Sequence, residues 1–304
     1  MGHDARSLGG NMRVFGLDVG SGATLWEFHP EFPVWNLTPL FPGDGTTVFM
    51  DFTGGVYRLG LHNGTLQWYT PATRANQAFS DGGAVLGPQG DVYACFNPTG
   101  GHGSEGQRGV LRKLQVSDGR VFWDQDLPQP CNSYPAVGKV GPGDELSVVV
   151  TPGSFMGSPN LRGSIMAFDV ESGALRWAYN TRPFNNPPSY MAKGDTEGYV
   201  GRSIHMGKQH NICLPAHWGS ANIDGEGYVY AGRCDGYVYA VRAPKDFAAP
   251  MERNVSRLLN NFTSTPGLSV RSWNADGPSL HGAFAFAPGR VAFATCDTLY
   301  AFNA

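Results

Sequence analysis

A thirteen-residue phrase that ends on tryptophan recurs along this chain and constrains its fold more than any other feature. In each copy a glycine stands four residues before the tryptophan, and a leucine or phenylalanine stands nine residues before it. The four copies are VFGLDVGSGATLW, VYRLGLHNGTLQW, LRKLQVSDGRVFW and IMAFDVESGALRW, ending at Trp26, Trp68, Trp123 and Trp177. Partial copies place Tyr239 and Phe302 at the apolar position, which therefore recurs at spacings of 42, 55, 54, 71 and 63 residues. A period in this range predicts stacked units of one supersecondary type.

Each unit also carries strand patterns before the phrase. The clearest stretch runs from Ser220 to Val241, where three apolar strands are separated by turns at Asp224-Gly225 and Asp235-Gly236. Adding the strand after the repeated glycine gives four antiparallel strands per unit. The 42 glycines and 22 prolines of the 304-residue chain suit short strands and tight turns. The sequence therefore predicts an all-β chain, with a single β-propeller domain of about six four-stranded blades over residues 1–304.

The two ends of the chain leave the closure of the ring open. The first unit lacks its first two strands, and the last unit supplies three and lacks its fourth. Pairing the two ends in one blade would close a ring. That blade would then receive five strands, although each blade has only four. Either one terminal strand is displaced, or the sequence is an incomplete part of a seven- or eight-bladed ring.

The repeated glycine and tryptophan are predicted to be structural. The glycine lies where the turn between the third and fourth strands needs a positive φ, and Asp, Asn or Ser beside it tolerates that geometry. The tryptophan ring would lie between neighbouring blades while its N–H reaches a carbonyl. A ligand platform would not recur at the periphery of every blade.

The phrase resembles the pyrroloquinoline-quinone (PQQ) repeat, LyAlDxxtGxxxW, of the quinoprotein alcohol dehydrogenase-like propellers. Residues 165–177 and 14–26 match it best, and the detectable copies span residues 14–302. The resemblance implies the fold. The dehydrogenases of that superfamily close their cofactor pocket with two adjacent cysteines, stack PQQ on a tryptophan and hold Ca²⁺ with Glu, Asn and Asp near a catalytic Asp. This chain has no adjacent cysteine pair and about six units where those enzymes have eight blades.

The same superfamily includes non-catalytic scaffolds, such as the propeller of bacterial outer-membrane assembly. We therefore expect a non-enzymatic scaffold with no catalytic residue, cofactor or metal. The alternative is a PQQ- or metal-dependent oxidoreductase with a degenerate site, and only that alternative requires PQQ and Ca²⁺. A third class, a carbohydrate-binding propeller, is allowed by aromatic residues expected to be exposed, such as Trp35, Tyr190 and Trp218.

Charge and hydropathy exclude two kinds of partner. The formal net charge is −3, and the basic residues form no cluster that would neutralise a row of phosphates, so nucleic acid is not expected. No run approaches the ~20 apolar residues that a membrane span needs, so the chain is expected to be soluble. The first residues, MGHDARSLGG, lack the apolar core of a secretory signal, although a truncated amino terminus would hide one. The compartment therefore stays open.

Long insertions between strands are the predicted binding surfaces, because regular blades carry short turns. Residues 181–218 lie between the fourth and fifth blades, and residues 243–273 contain APMERNVSRLLNNF, a plausible short helix. We expect these loops to bind a protein partner, while a small-molecule ligand stays open. The candidate binding residues of the first loop are Arg182, Tyr190, Arg202, His205, His210, His217 and Trp218.

The cysteines and histidines of that loop allow two further arrangements. His210, Cys213 and His217 are possible zinc ligands, but their spacing fits no common finger, so loop histidines and a buried cysteine are favoured over a metal. Cys213 precedes the first strand of its blade and Cys234 ends the second. Because antiparallel pairing brings these ends together, a disulfide between Cys213 and Cys234 is predicted for an oxidising compartment.

Overall fold

The computed structural model describes residues 11–34, 38–72, 80, 82–98, 108–141, 143, 145–153, 162–183, 217–244, 264–275, 280, 282–295 and 298–303. Those residues form twenty β-strands and no helix, and the strands pair into six separate antiparallel sheets that follow one another along the chain. Within the described ranges, the structure contains no helix with the length and apolar character needed to span a bilayer. The predicted helix after residue 243 lies outside the described residues.

The first three sheets contain nine strands. The first sheet pairs β1 (Val14–Leu17) with β2 (Thr24–Phe28). The second is β3 (Thr46–Met50), β4 (Val56–Gly60) and β5 (Leu66–Thr70), with a single bridge between Leu40 and Val48 at the place of its missing inner strand. The third is β6 (Ala84–Leu86), β7 (Asp91–Phe96), β8 (Val110–Gln115) and β9 (Val121–Asp126).

The last three sheets contain eleven strands. The fourth sheet is β10 (Ala136–Gly138), β11 (Ser147–Val150), β12 (Ser164–Asp169) and β13 (Leu175–Asn180). The fifth is β14 (Asn222–Ile223), β15 (Val229–Gly232), β16 (Tyr237–Arg242) and β17 (Ser269–Asn274). The sixth is β18 (Ala285–Ala287), β19 (Arg290–Ala294) and β20 (Leu299–Asn303).

The apolar core is divided into five clusters, one between each pair of consecutive sheets. The cluster between the third and fourth sheets, for example, joins Tyr93 and Leu111 to Val148 and Phe168, all with 1% exposure or less. The clusters at the two ends of the series are smaller, with three and five fully buried members. Because each sheet buries both faces only when it has a neighbour on each side, burial increases towards the middle of the series.

The two terminal sheets keep apolar side chains in contact with solvent. Leu17 and Leu25 of the first sheet are 58% and 61% exposed, and Leu299 of the sixth is 75% exposed. Among the described residues, the strands of these two sheets do not pair with each other. Within the described residues the two ends supply two and three strands, in agreement with the predicted counts.

The predicted boundary of the second long insertion is wrong. Ser269–Asn274 is not part of a loop, because it forms β17 and pairs with β16 along six residues. The insertion therefore ends at residue 268 and connects the third and fourth strands of one sheet. Trp273 lies opposite Val238, as Trp177 lies opposite Ala167 in the fourth sheet. The tryptophan missing from the fifth copy of the phrase is thus Trp273, displaced along the chain by the insertion.

Candidate functional site

Each of the first three repeated tryptophans binds the turn of the following sheet. The indole N–H of Trp26 donates to the carbonyl of Leu61 at 2.9 Å, that of Trp68 to Val116 at 2.8 Å, and that of Trp123 to Val170 at 3.2 Å. The three accepting carbonyls occupy the same place, two residues after the apolar position of the phrase. In each case, the turn between the third and fourth strands of one sheet therefore holds the outer strand of the sheet before it.

The repeated glycines make this contact possible. Gly64, Gly119 and Gly173 have φ of +67°, +73° and +69°, a region that favours glycine. A Cβ on Gly173 would lie 2.8 Å from the ring of Trp123, so the turn and the ring approach too closely for any larger residue. Gly22 has φ of +72°, but no heavy atom lies within 4 Å of its Cβ position.

Trp177 departs from this pattern. Its side chain is 1% exposed, and its N–H donates to the carbonyl of Val140, within its own sheet, at 3.3 Å. In the fifth sheet, residues 243–268 join β16 to β17 in place of the short turn that joins β12 to β13, and among the described residues no carbonyl of that connection accepts the indole. The ring packs instead in the cluster that contains Trp218, Val229 and Tyr239.

The end of that insertion covers the outer edge of the fourth sheet. The backbone N–H of Thr265 donates to the carbonyl of Ala178 at 2.8 Å, and the N–H of Ala178 donates to the hydroxyl of Thr265 at 3.0 Å. The hydroxyl of Ser264 accepts from the N–H of Asn180 at 3.0 Å and donates to its carbonyl at 3.3 Å. A two-residue segment therefore satisfies the outward backbone groups of β13, which would otherwise be an open sheet edge.

Buried cations reinforce the contacts between sheets. Arg58 donates to the carbonyls of Val116 and Ser117 and pairs with Asp44 at 2.6 Å. Lys113, one sheet further on, donates to the carbonyl of Val170 at 2.9 Å and pairs with Asp91 at 3.1 Å. Both cations stand one residue before the apolar position of the phrase, and their carbonyl acceptors Val116 and Val170 also accept an indole N–H.

A surface cleft of about 500 Å³ lies beside these two cations. Its walls come from the second, third and fourth sheets, at the face that carries the turns between the first and second strands and between the third and fourth strands. The ring of Phe122 at its rim is 47% exposed, and the carboxylate of Glu171 is 66% exposed. The volume falls in the range of ligand and peptide sites, roughly 300–1,000 Å³. The remaining lining residues are Asp44, Arg58, Gln89, Gly90, Asp91, Lys113, Gln115, Val116 and Ser117.

A polar cluster on the opposite face includes two of the predicted loop residues. Arg233 donates from Nε to Nε2 of His217 at 2.8 Å and pairs through Nη1 with Asp235 at 2.8 Å. His217 is 2% exposed and Trp218 is 1% exposed, with its N–H on the carbonyl of Pro152. The expectation that Trp218 is an exposed aromatic is therefore wrong. Its ring fills the core between the fourth and fifth sheets, and His217 is held inside the protein beside it.

The other loop candidates are placed only in part. Arg182 is exposed at the end of a described segment, two residues after β13. Trp35, Tyr190, Arg202, His205, His210 and Cys213 lie outside the described residues, so the loop site, the zinc arrangement and the Cys213–Cys234 disulfide stay predictions. Among the residues that the structure describes, no three His, Cys, Asp or Glu side chains are grouped as a metal site would require.

A disulfide that the cysteine spacing did not reveal joins Cys95 to Cys131, with a Cα–Cα distance of 5.8 Å. Cys95 lies in β7, and Cys131 lies in the connection from β9 to β10, so the bond ties the third sheet to the chain that enters the fourth. Both cysteines are fully buried. A sequence separation of 36 residues gave no signal, because only the stacking of sheets brings these residues together.

One buried carboxylate forms no ion pair with any described residue. Asp51, fully buried, accepts hydrogen bonds from the N–H and hydroxyl of Thr53, the N–H of Gly55 and the hydroxyl of Tyr57, at 2.7 to 3.0 Å. Burial raises the pKa of Asp51, and these hydrogen bonds offset only part of that effect. Shifted carboxylates are found at functional sites, but here three of the four donors belong to the turn that Asp51 begins. The carboxylate therefore stabilises the turn between β3 and β4.

The arrangement of sheets is shared with several solved structures of low sequence identity. BamB from Moraxella catarrhalis is 15% identical, with a TM-score of 0.54 over 96% of this chain and 66% of that chain. Sqt1 from Saccharomyces cerevisiae is 9% identical, with a TM-score of 0.53 over 95% of this chain and 65% of that chain. The fold is that of a β-propeller. The computationally designed Ika8 protein is also similar, at 11% identity and a TM-score of 0.50 over 93% of this chain and 63% of that chain.

These likenesses show the fold of the propeller. The chain spans about two thirds of the length of BamB and Sqt1. No family model matches the sequence, and no curated relative matches it either.

Proposed function

We propose that this propeller is a non-enzymatic scaffold that binds an extended segment of a protein partner in the cleft beside Phe122. The observation that carries the proposal is an open cleft whose buried cations are engaged in holding the sheets together. Arg58 and Lys113 bond to carbonyls of the next sheet and to Asp44 and Asp91, so they act as fixed walls. The exposed groups at the rim, Phe122 and the carboxylate of Glu171, supply the contacts that a partner would meet.

Rigid walls favour binding over chemistry in this cleft. Preorganised groups reduce the entropy lost when a partner binds, and an aromatic ring supplies much contact area with little conformational freedom. The insertion that begins at residue 243 leaves the same face of the propeller, after the third strand of the fifth sheet. We propose that this insertion enlarges the partner-binding surface, whereas the loop over residues 181–218 starts and ends on the opposite face and would form a second binding surface.

Peptide selection tests the proposal directly. Random peptides would be selected against the full chain, and their affinities measured on the wild type, on Phe122→Ala and on Phe286→Ala. Phe286 is 41% exposed on the sixth sheet, outside the cleft, and is the matched control. We expect Phe122→Ala to weaken the selected peptides by about tenfold or more, as truncating a binding hot spot does, and Phe286→Ala to leave them unchanged.

Two results would contradict this function. If the selected peptides bind both variants with the affinity they have for the wild type, the cleft is not their binding site. Turnover in dye-linked oxidation of alcohols or sugars, after reconstitution with PQQ and Ca²⁺, would favour the oxidoreductase alternative instead.

A further inference from the structure

The outer edge of the fourth sheet shows how this fold covers an outer strand with another segment of chain. Ser264 and Thr265 bind the outward backbone groups of Ala178 and Asn180 through four hydrogen bonds of 2.8 to 3.3 Å. One of these bonds joins backbone to backbone, and the other three involve the side-chain hydroxyls. Hydroxyl-bearing residues therefore suit this edge.

The third sheet presents the same edge, and no described segment covers it. Trp123 lies opposite Lys113 just as Trp177 lies opposite Ala167, so Asp124 and Asp126 occupy the places of Ala178 and Asn180. Their backbone N–H and C=O groups therefore point outward. In the described part of the chain no other strand pairs with this edge, and the carbonyl of Asp126 accepts only the side-chain amide of Gln125, at 3.2 Å.

The second sheet is closed to the same mode of binding by its sequence. Pro71 stands three residues after Trp68, at the position that Asp126 occupies in the third sheet. Proline has no N–H to offer a partner strand. The third sheet is therefore the better acceptor of the two, and Pro71 shows that the fold itself tolerates proline at this place.

Charge defines the partner of the open edge. The edge of the fourth sheet is uncharged at Ala178 and Asn180, whereas the third sheet has two aspartates. Arg112 neutralises Asp124 through two bonds of 2.7 and 2.8 Å, but Asp126 forms no ion pair among the described residues. Glu171, across the cleft that Phe122 borders, already pairs with Lys113 at 3.5 Å. Asp126 is therefore the carboxylate of this edge that a basic side chain of a partner would neutralise.

We propose that β9 is a strand-addition site for an extended, basic, hydroxyl-bearing segment of a protein partner. The segment pairs with the backbone of Asp124 and Asp126 as Ser264 and Thr265 pair with β13, and its basic side chain reaches Asp126. This inference rests on the proposed scaffold function and names its mode of binding.

The probe is the peptide Lys-Phe-Thr-Ser-Thr-Lys, whose central four residues copy residues 262–265. Its affinity would be measured on the wild type, on Asp126→Pro, which copies Pro71, and on Asp126→Asn. We expect Asp126→Pro to weaken binding about tenfold or more, because an outward donor is lost. We expect Asp126→Asn to weaken it a few-fold and to reduce its salt dependence, because only a charge is lost.

The design separates the possible failures. If Asp126→Pro unfolds the protein, a probe N-methylated at its Ser and second Thr amides replaces the variant, and equal binding of both probes to the wild type overturns the proposal. Equal binding by a folded Asp126→Pro also overturns it, as does failure of the wild type to bind the probe. If strand addition fails in this way while Phe122→Ala still weakens binding of the selected peptides, the scaffold function stands and only strand addition is refuted. When neither variant affects any peptide, both fall.

Discussion

The third and fourth sheets share one repeat and one register, yet their outer strands differ in environment. Trp123 is partly exposed and binds the turn of the following sheet through Val170, whereas Trp177 is fully buried and binds within its own sheet. Val121 of the third sheet is 37% exposed, and its counterpart Leu175 of the fourth is 3% exposed. The insertion after β16 takes the place of the short turn that would bind Trp177. The end of the same insertion covers the edge of β13.

The largest expected effect compares the two tryptophans themselves. Trp177→Ala should lower the free energy of unfolding by about 4 kcal/mol, while Trp123→Ala should lower it by about 2 kcal/mol because part of its ring is already in water. Guanidinium chloride unfolding of the two variants measures both values. Equal losses would show that the covered edge adds nothing to the burial of Trp177.

The Cys95–Cys131 disulfide fastens the third sheet to the start of the fourth. Its loop of 36 residues predicts a stabilisation of about 3–4 kcal/mol from the entropy of the unfolded chain. The double variant Cys95→Ala, Cys131→Ala should therefore unfold at lower denaturant concentration by that amount. The single variant Cys234→Ala, buried but outside this bond, is the control for loss of thiol packing. A double variant as stable as the wild type would show that the disulfide does not stabilise the fold.

Substitutions at two of the repeated glycines distinguish the cost of backbone strain from the cost of a steric clash. Gly173→Ala imposes a positive φ on alanine and drives its Cβ into the ring of Trp123, so a loss of about 3 kcal/mol is expected. Gly22→Ala imposes the same strain where no heavy atom is near, so about 1 kcal/mol is expected. Thermal unfolding of both variants gives the difference, and equal values would mean that the ring moves aside freely.

The cover on the fourth sheet has a smaller expected effect. Thr265→Val removes the hydroxyl that accepts the N–H of Ala178 and should cost about 1 kcal/mol. Hydrogen exchange at Ala178 should become faster, towards the rate at Asp124 on the open edge. Thr24→Val, on an exposed strand of the first sheet, is the control. Unchanged protection at Ala178 would show that the hydroxyl is not its main partner.

The smallest expected effect is a pH dependence of opposite sign at two aspartates. Burial raises the pKa of Asp51, so its contribution to stability falls as pH rises from the unfolded pKa, about 3.9, through the folded pKa. For Asp169, burial alone would raise the pKa, but hydrogen bonds from Ser172 and Arg176 together lower it, so its contribution is lost as pH falls through the folded pKa.

Urea unfolding between pH 3 and pH 7 gives the free energy of unfolding as a function of pH. Asp51→Asn should remove the part of this free energy that falls as pH rises, and Asp169→Asn should remove the part that falls as pH decreases. A shared slope in the two variants would contradict the assignment of either shift.

The repeat predicted the fold well because its features act locally. The period, the glycine turns and the alternation of apolar residues are fixed within one sheet, so the six sheets and their strands around residues 220–241 follow from them. The displaced Trp273 was not predicted, because the insertion lengthens its distance from Tyr239 beyond the nine residues of the other copies. The alternating stretch SVRSW after Pro266-Gly267 is the signal that would have found it.

The candidate site was less predictable. Arg58 and Lys113 lie one residue before a repeated position, but nothing in the sequence shows that both bond to carbonyls more than fifty residues away. His217 and Trp218 were predicted at a binding loop because they follow a long insertion. Their burial is decided by Gly153 and Gly163, whose missing side chains leave the space that His217 fills.

The repeating sheet, its glycine turns and the residues that face each neighbour could all be predicted from the sequence, because hydrogen bonding and burial within a sheet depend on residues close in the chain. The covered edge, the pairing of the cysteines and the position of the cleft became apparent only in the folded molecule. Those features depend on contacts between different sheets, and the distances between sheets are set by packing that no single repeat contains.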